Sequence, residues 1–119
     1  MKHSERMVKM LENYHIPMNE ISIIIAMHYK MEMSTIKSPS REGHIVRARN
    51  FCIYFLHKYL THKVDLESTK HNLIGLYLLR DRLTIRHHQM NFAWLISHDK
   101  EIINEYNELI IKLNRNGFF

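Results

Sequence analysis

The chain has 119 residues, 45% of them hydrophobic, with one cysteine, three glycines, two prolines and a net charge of +5. This length and hydrophobic fraction exclude a disordered chain and fit one domain whose core needs no disulfide or metal. So few turn residues exclude a sandwich or barrel, which leaves an all-α chain, expected as a compact bundle of about five to six helices.

The first expected helix covers residues 4–15, with Met7, Met10, Leu11 and Tyr14 as its apolar stripe and Pro17 as its end. Asn19 is a suitable N-cap for a second helix over 19–31, with Ile21, Ile24, Ile25 and His28 or Tyr29 facing inward. Met33 to Pro39 reads as a connector. Ser38-Pro39-Ser40 then signals a cap, and the longest helix is expected over 41–61. Its apolar residues Ile45, Ala48, Cys52, Phe55, Leu56 and Tyr59 recur in steps of three and four. Its other face carries Arg47, Asn50 and Lys58, available to something negative. A fourth helix over 66–78 contains Gly75, which either lets another backbone pass closely or weakens the helix. A fifth, over 80–96, has Ile85, His88, Phe92, Leu95 and Ile96 on its inner face. Ser97 or Asp99 can cap a last helix over 99–113, whose inward residues include Ile102, Tyr106, Leu109 and Leu113.

The charge is unevenly placed. Residues 37–63 hold Lys37, Arg41, Arg47, Arg49, Lys58 and Lys63 against Glu42 alone, so the whole surplus falls in this stretch. Such a patch suits a polyanion, because releasing counterions from phosphates drives association; a solvated helix face would show the same charges. No apolar run approaches the ~20 residues of a membrane span. The charged start, Met1 to Glu12, lacks a signal-peptide core, so a cytoplasmic location is expected. Cys52 reads as a small core residue, not a nucleophile. The ten histidines are scattered, with no pair at i, i+4 and no Cys-x-x-Cys, so no metal site is expected. The chain has no glycine-rich phosphate loop and no convergent nucleophile, base or carboxylate pair. Neither a nucleotide cofactor nor catalysis is expected.

Several of these segments carry a further pattern. Ile21 to Tyr29 follows Ile-x-x-x-Val-Ala-x-x-Tyr. A basic loop comes next, Ile36-Lys37-Ser38-Pro39-Ser40-Arg41, then Ile45-Val46-Arg47-Ala48-Arg49 opening the long helix and Tyr59-Leu60-Thr61 closing it. Ile74-Gly75 and Leu79-Arg80-Asp81-Arg82-Leu83-Thr84-Ile85 follow. In this order the chain resembles the C-terminal DNA-binding domain of DnaA, the bacterial chromosomal replication initiator. The resemblance spans about residues 19–113 and implies a helix-turn-helix domain of Trp-repressor type over 19–119, with residues 1–18 as an extension. In the family's signature Gly-Arg-Asp-His-Thr-Thr-Val, this chain has Leu79, Arg82 and Leu83 in place of the glycine, the histidine and the first threonine.

The resemblance implies a non-enzymatic double-stranded-DNA-binding protein, acting in replication initiation control or transcription regulation. Arg80, Asp81, Arg82, Thr84, Arg86 and His87 would belong to the front of a recognition helix in the major groove. Arg82 would read guanine and shift the preferred sequence away from the family's. Thr84 would touch a thymine methyl or a phosphate. Asp81 can accept from a cytosine amine or cap the helix, and the cap is favoured. Arg49 matches a minor-groove reader, with its stem packed and its head projecting, while Lys37, Arg41 and Arg47 would hold the backbone. The alternative is a helical protein–protein module that keeps the fold without reading sequence. The stripe of the first helix could dock on the core or pair two chains as a homodimer.

Overall fold

The computed structural model describes the backbone of residues 3–119 and the side chains of residues 4–119; Met1, Lys2 and the His3 side chain lie outside it. The described residues form six α-helices and no strand: α1 His3–His28, α2 Met33–Lys37, α3 Gly43–Thr61, α4 Glu67–Leu78, α5 Arg82–His98 and α6 Lys100–Arg115. The expected all-α bundle is what the chain builds.

The sequence reading split α1 in two at Pro17, and the structure joins the halves. Pro17 sits inside one helix of 26 residues. A proline there removes one intrahelical hydrogen bond and costs about 3 kcal/mol or more. Packing on both sides of it offsets that cost. Met7 lies buried before the proline, and Met18, Ile21 and Ile25 are fully buried after it. Asn19, expected to cap a new helix, is mid-helix instead, and its Oδ1 accepts a hydrogen bond from the Tyr77 hydroxyl at 2.7 Å. The boundary drawn at residue 18 therefore falls within a packed element. Met10, Leu11 and Tyr14 are half-buried against the common core, so this stripe docks on the chain's own bundle.

The 33–39 connector contains the short α2, whose Ile36 is fully buried. Next comes α3, the centre of the bundle: α1, α2, α4 and α5 all pack on it. Its buried set runs wider than the expected stripe and adds Phe51, Ile53, Leu60 and Arg49. Phe51 meets Phe92 of α5 edge to face at 4.7 Å, and Phe55 stacks on Tyr106 of α6 at 5.6 Å. Each fully buried ring of this kind contributes about 1.5–3 kcal/mol by leaving water. Cys52 is fully buried, and burial pushes its thiol up to about 12, as befits a core residue.

Two residues of the α3 face expected to be open, Arg47 and Lys58, turn to α6 instead. Arg47 donates to Glu101 at 2.9 Å and to Glu105 at 3.3 Å. Lys58 lies over the Tyr106 and Phe119 rings and donates to the Tyr106 hydroxyl. Arg47 finds its negative partners on the protein's own last helix, whereas Lys58 takes a hydroxyl and two ring faces.

Three residues, Leu79 to Asp81, turn the chain from α4 into α5. Leu79 is left-handed (φ 62°, ψ 44°), and the Arg80 amide donates to the Gly75 carbonyl at 2.8 Å, closing α4 with a C-terminal cap. Gly75 explains the tight turn: a Cβ there would stand 2.4 Å from the Arg80 carbonyl oxygen. Of the two readings of this glycine, close backbone passage is the one found. Asp81 and Asp99 cap α5 and α6 through their side chains, as expected.

Candidate functional site

Two guanidinium groups build the loop between α2 and α3. Arg49 of α3 is 7% exposed, so the expectation that its head projects from the surface is corrected. Its Nε donates to the Ile36 carbonyl at 2.8 Å, and its Nη2 to the carbonyls of Ser38 at 2.7 Å and Ser40 at 3.2 Å. A loop without regular hydrogen bonding must satisfy its carbonyls somehow, and a rigid fork of donors does this economically. Arg80 closes on the same loop from the α4–α5 turn. Its Nη1 donates to the carbonyls of Lys37 at 2.8 Å and Leu78 at 2.9 Å, and its Nη2 to that of Ser38. Burial lowers the affinity of both groups for their protons, and for Arg49 the nearby Arg80 adds to the effect. Both stay charged, because arginine begins so high.

The loop, the start of α3 and the start of α5 enclose a groove of about 740 Å³. Lys37, Arg41, Arg49 and Arg80 line it together with Thr84 and His88, and no carboxylate is among its lining residues. The 37–41 loop, the start of α3 and the front of α5 share this surface. They differ from expectation in which groups they offer. Arg47 is paired with α6, and Arg49 and Arg80 are turned to the loop carbonyls. Lys37 sits over the Tyr77 ring at 4.4 Å, and Arg41 is exposed. Among the described residues, no carboxylate pairs with Lys37, Arg41, Arg82 or Arg86.

α5 starts at Arg82, two residues after the expected position. Asp81 accepts from the Thr84 amide and from the Thr84 hydroxyl, both at 2.9 Å. These two bonds hold its carboxyl below the usual range, and they settle Asp81 as a helix cap. The Thr84 hydroxyl proton is thereby committed. Its methyl and its acceptor lone pairs are what it has left for a ligand. Arg82, Arg86 and His87 are exposed on the first turns of α5, with His87 Nε2 held by the Asn91 amide at 3.0 Å. Leu83, Met90 and Trp94 are also exposed there, at 63%, 56% and 60%. Their spacing puts them on one outer face, a feature the sequence reading did not single out.

A second cluster joins α3 to α4. His57 Nε2 lies 2.8 Å from Glu67 Oε2, and His71 Nε2 lies 3.8 Å from the same oxygen. Lys70 donates to the other oxygen at 2.7 Å, and this bond with that of His57 holds the Glu67 carboxyl down at about 2. A search for histidine pairs misses this group, because the helical i, i+4 pair is Glu67 with His71 and the third member comes from another helix.

These features define a small helical bundle with a helix-turn-helix connection and a carboxylate-free cationic groove beside it. No family model and no curated protein matches the chain. No described helix is long and apolar enough to cross a membrane.

Proposed function

We propose that this protein binds double-stranded DNA without catalysing a reaction on it. In this reading the groove receives a phosphate-backbone segment, and the front of α5 meets the adjoining major groove. It would act by occupying a site, in control of replication initiation or of transcription, as the resemblance to the DnaA C-terminal domain suggests. One observation carries the reading. Four cations and Thr84 from the first turn of α5 line one groove that holds no carboxylate, and the exposed Arg82 and Arg86 continue the charge along α5. Arg49 and Arg80 serve by shaping the loop and setting its potential, whereas Lys37, Arg41, Arg82 and Arg86 are the groups able to touch phosphate or base.

Fluorescence anisotropy with a labelled duplex over a salt series tests this. Several phosphate contacts make affinity fall steeply with salt, and each contact removed flattens the logarithmic slope by about one unit. The Arg41→Glu/Arg86→Glu double variant, reversing two exposed and unpaired charges, is expected to bind at least about tenfold more weakly with a slope shallower by about two. Duplex binding that is absent, or indifferent to salt, overturns the proposal. The second reading, a protein-binding module, has its own support in the exposed Leu83, Met90 and Trp94 face. It predicts no duplex binding by the parent chain.

A further inference from the structure

We propose that His57, Glu67 and His71 form a binding site for one zinc-type divalent ion, clasping the end of α3 to the start of α4. The proposal does not rest on the DNA reading. Two imidazoles and a carboxylate are a donor set suited to zinc, and their nitrogens select against the oxygen-seeking magnesium and calcium. The three ligand atoms already lie within 4.8 Å of one another. Ligands at about 2.0–2.2 Å from a tetrahedral zinc stand roughly 3.3–3.5 Å apart. The His71–Glu67 separation of 3.8 Å and the His57–Glu67 separation of 2.8 Å bracket that value, and the two histidine nitrogens lie within 4.8 Å of each other, so modest side-chain adjustments admit the ion.

The surroundings prepare the site. Lys70, nearly fully buried, takes Oε1 of Glu67 and leaves Oε2 to the two histidines. The His57 and His71 rings stack at 5.5 Å with planes 15° apart, which fixes both orientations. Gln89 Oε1 of α5 lies 3.1 Å from His71 Nε2, a hydrogen bond that the ion has to displace. A groove of about 530 Å³ lined by Glu67, His71 and Gln89 gives the ion a path. The positive charges of Lys70, Arg82 and Arg86 oppose a cation, so binding is expected to be weaker than at a thiolate site.

The test is calorimetric titration of Zn²⁺ into the chelator-stripped full chain. One saturable equivalent is expected, with a raised unfolding temperature and no competition from Mg²⁺. His57→Phe keeps the ring stacking and removes a ligand; Glu67→Gln keeps the shape and removes the charge. Each should weaken that equivalent at least about tenfold, while the exposed His44→Ala leaves it unchanged. A Co²⁺-loaded chain should show the visible band of a tetrahedral site, discharged by Zn²⁺. The absence of a one-equivalent site, or parent-like affinity in either ligand variant, overturns the proposal. So does an equal response to Mg²⁺.

Discussion

Cutting Arg49 back to alanine removes a donor from three carbonyls in one loop, those of Ile36, Ser38 and Ser40, of which Ser38 keeps its bond from Arg80. Each buried acceptor left unmade costs about 1–3 kcal/mol, and Ser38 and Ser40 are only half-buried, so water recovers part. Arg49→Ala is expected to lose about 2–4 kcal/mol in urea unfolding with an unchanged slope. Arg49→Lys should recover less than half of it, since one ammonium cannot span three carbonyls. A loss below about 0.5 kcal/mol would show that the loop does not depend on this fork. His88 contributes a pH dependence. It is half-buried in the same groove, and burial first, then His87, Arg49 and Arg80, hold its imidazole below the ordinary value. The unfolded chain therefore takes up this proton first. Stability is full above about pH 6.5 and falls as the pH drops from there through the lower folded value. His88→Gln should reduce the decline in unfolding free energy between pH 7 and 5; an unchanged slope would assign that decline elsewhere.

At the scale of elements, the α4–α5 turn invites two opposite substitutions. Replacing an interior helical glycine by alanine ordinarily gains about 1 kcal/mol. Gly75→Ala is expected to do the reverse and lose about 2 kcal/mol, because its Cβ meets the Arg80 carbonyl, which is backbone and cannot swing away. Leu79→Gly should gain up to about 1 kcal/mol by relieving a left-handed leucine. Chemical denaturation of both variants decides it, and a stabilised Gly75→Ala would mean that the turn is looser than described. These elements also show what the sequence reveals. Helix periodicity and the aspartate caps gave α4, α5 and α6 to within two residues, because caps and apolar spacing are local signals. The break at Pro17 was the wrong inference. Its local cost is real, but Met7, Met18 and Ile21 reach α1's neighbours from distant parts of the chain, and that packing decides.

The same limit applies to the whole molecule and explains which parts of the site were legible. A window sum placed the charge surplus in residues 37–63 correctly, yet it could not say which cations were already spent. Arg47 finds Glu101 and Glu105 more than fifty residues away, and Arg80 reaches back more than forty to the 37–38 carbonyls. His57, Glu67 and His71 meet only because α3 and α4 fold into a corner. The molecule thus has an internally neutralised side, α3 against α6, and a cationic side, the 37–41 loop with the front of α5. If DNA occupies the second side, neutralising the first should matter little. Glu101→Gln/Glu105→Gln frees Arg47 and removes two negative charges. Its stability cost should be about 1–2 kcal/mol, since the exposed Glu101 contributes little and the mostly buried Glu105 keeps hydrogen-bonding capacity as glutamine. Its duplex affinity should rise less than about threefold, a through-space effect that salt largely screens. A rise of tenfold or more would place the duplex against Arg47 and the α3–α6 side. The loop that Arg49 and Arg80 hold would then be architecture and not interface.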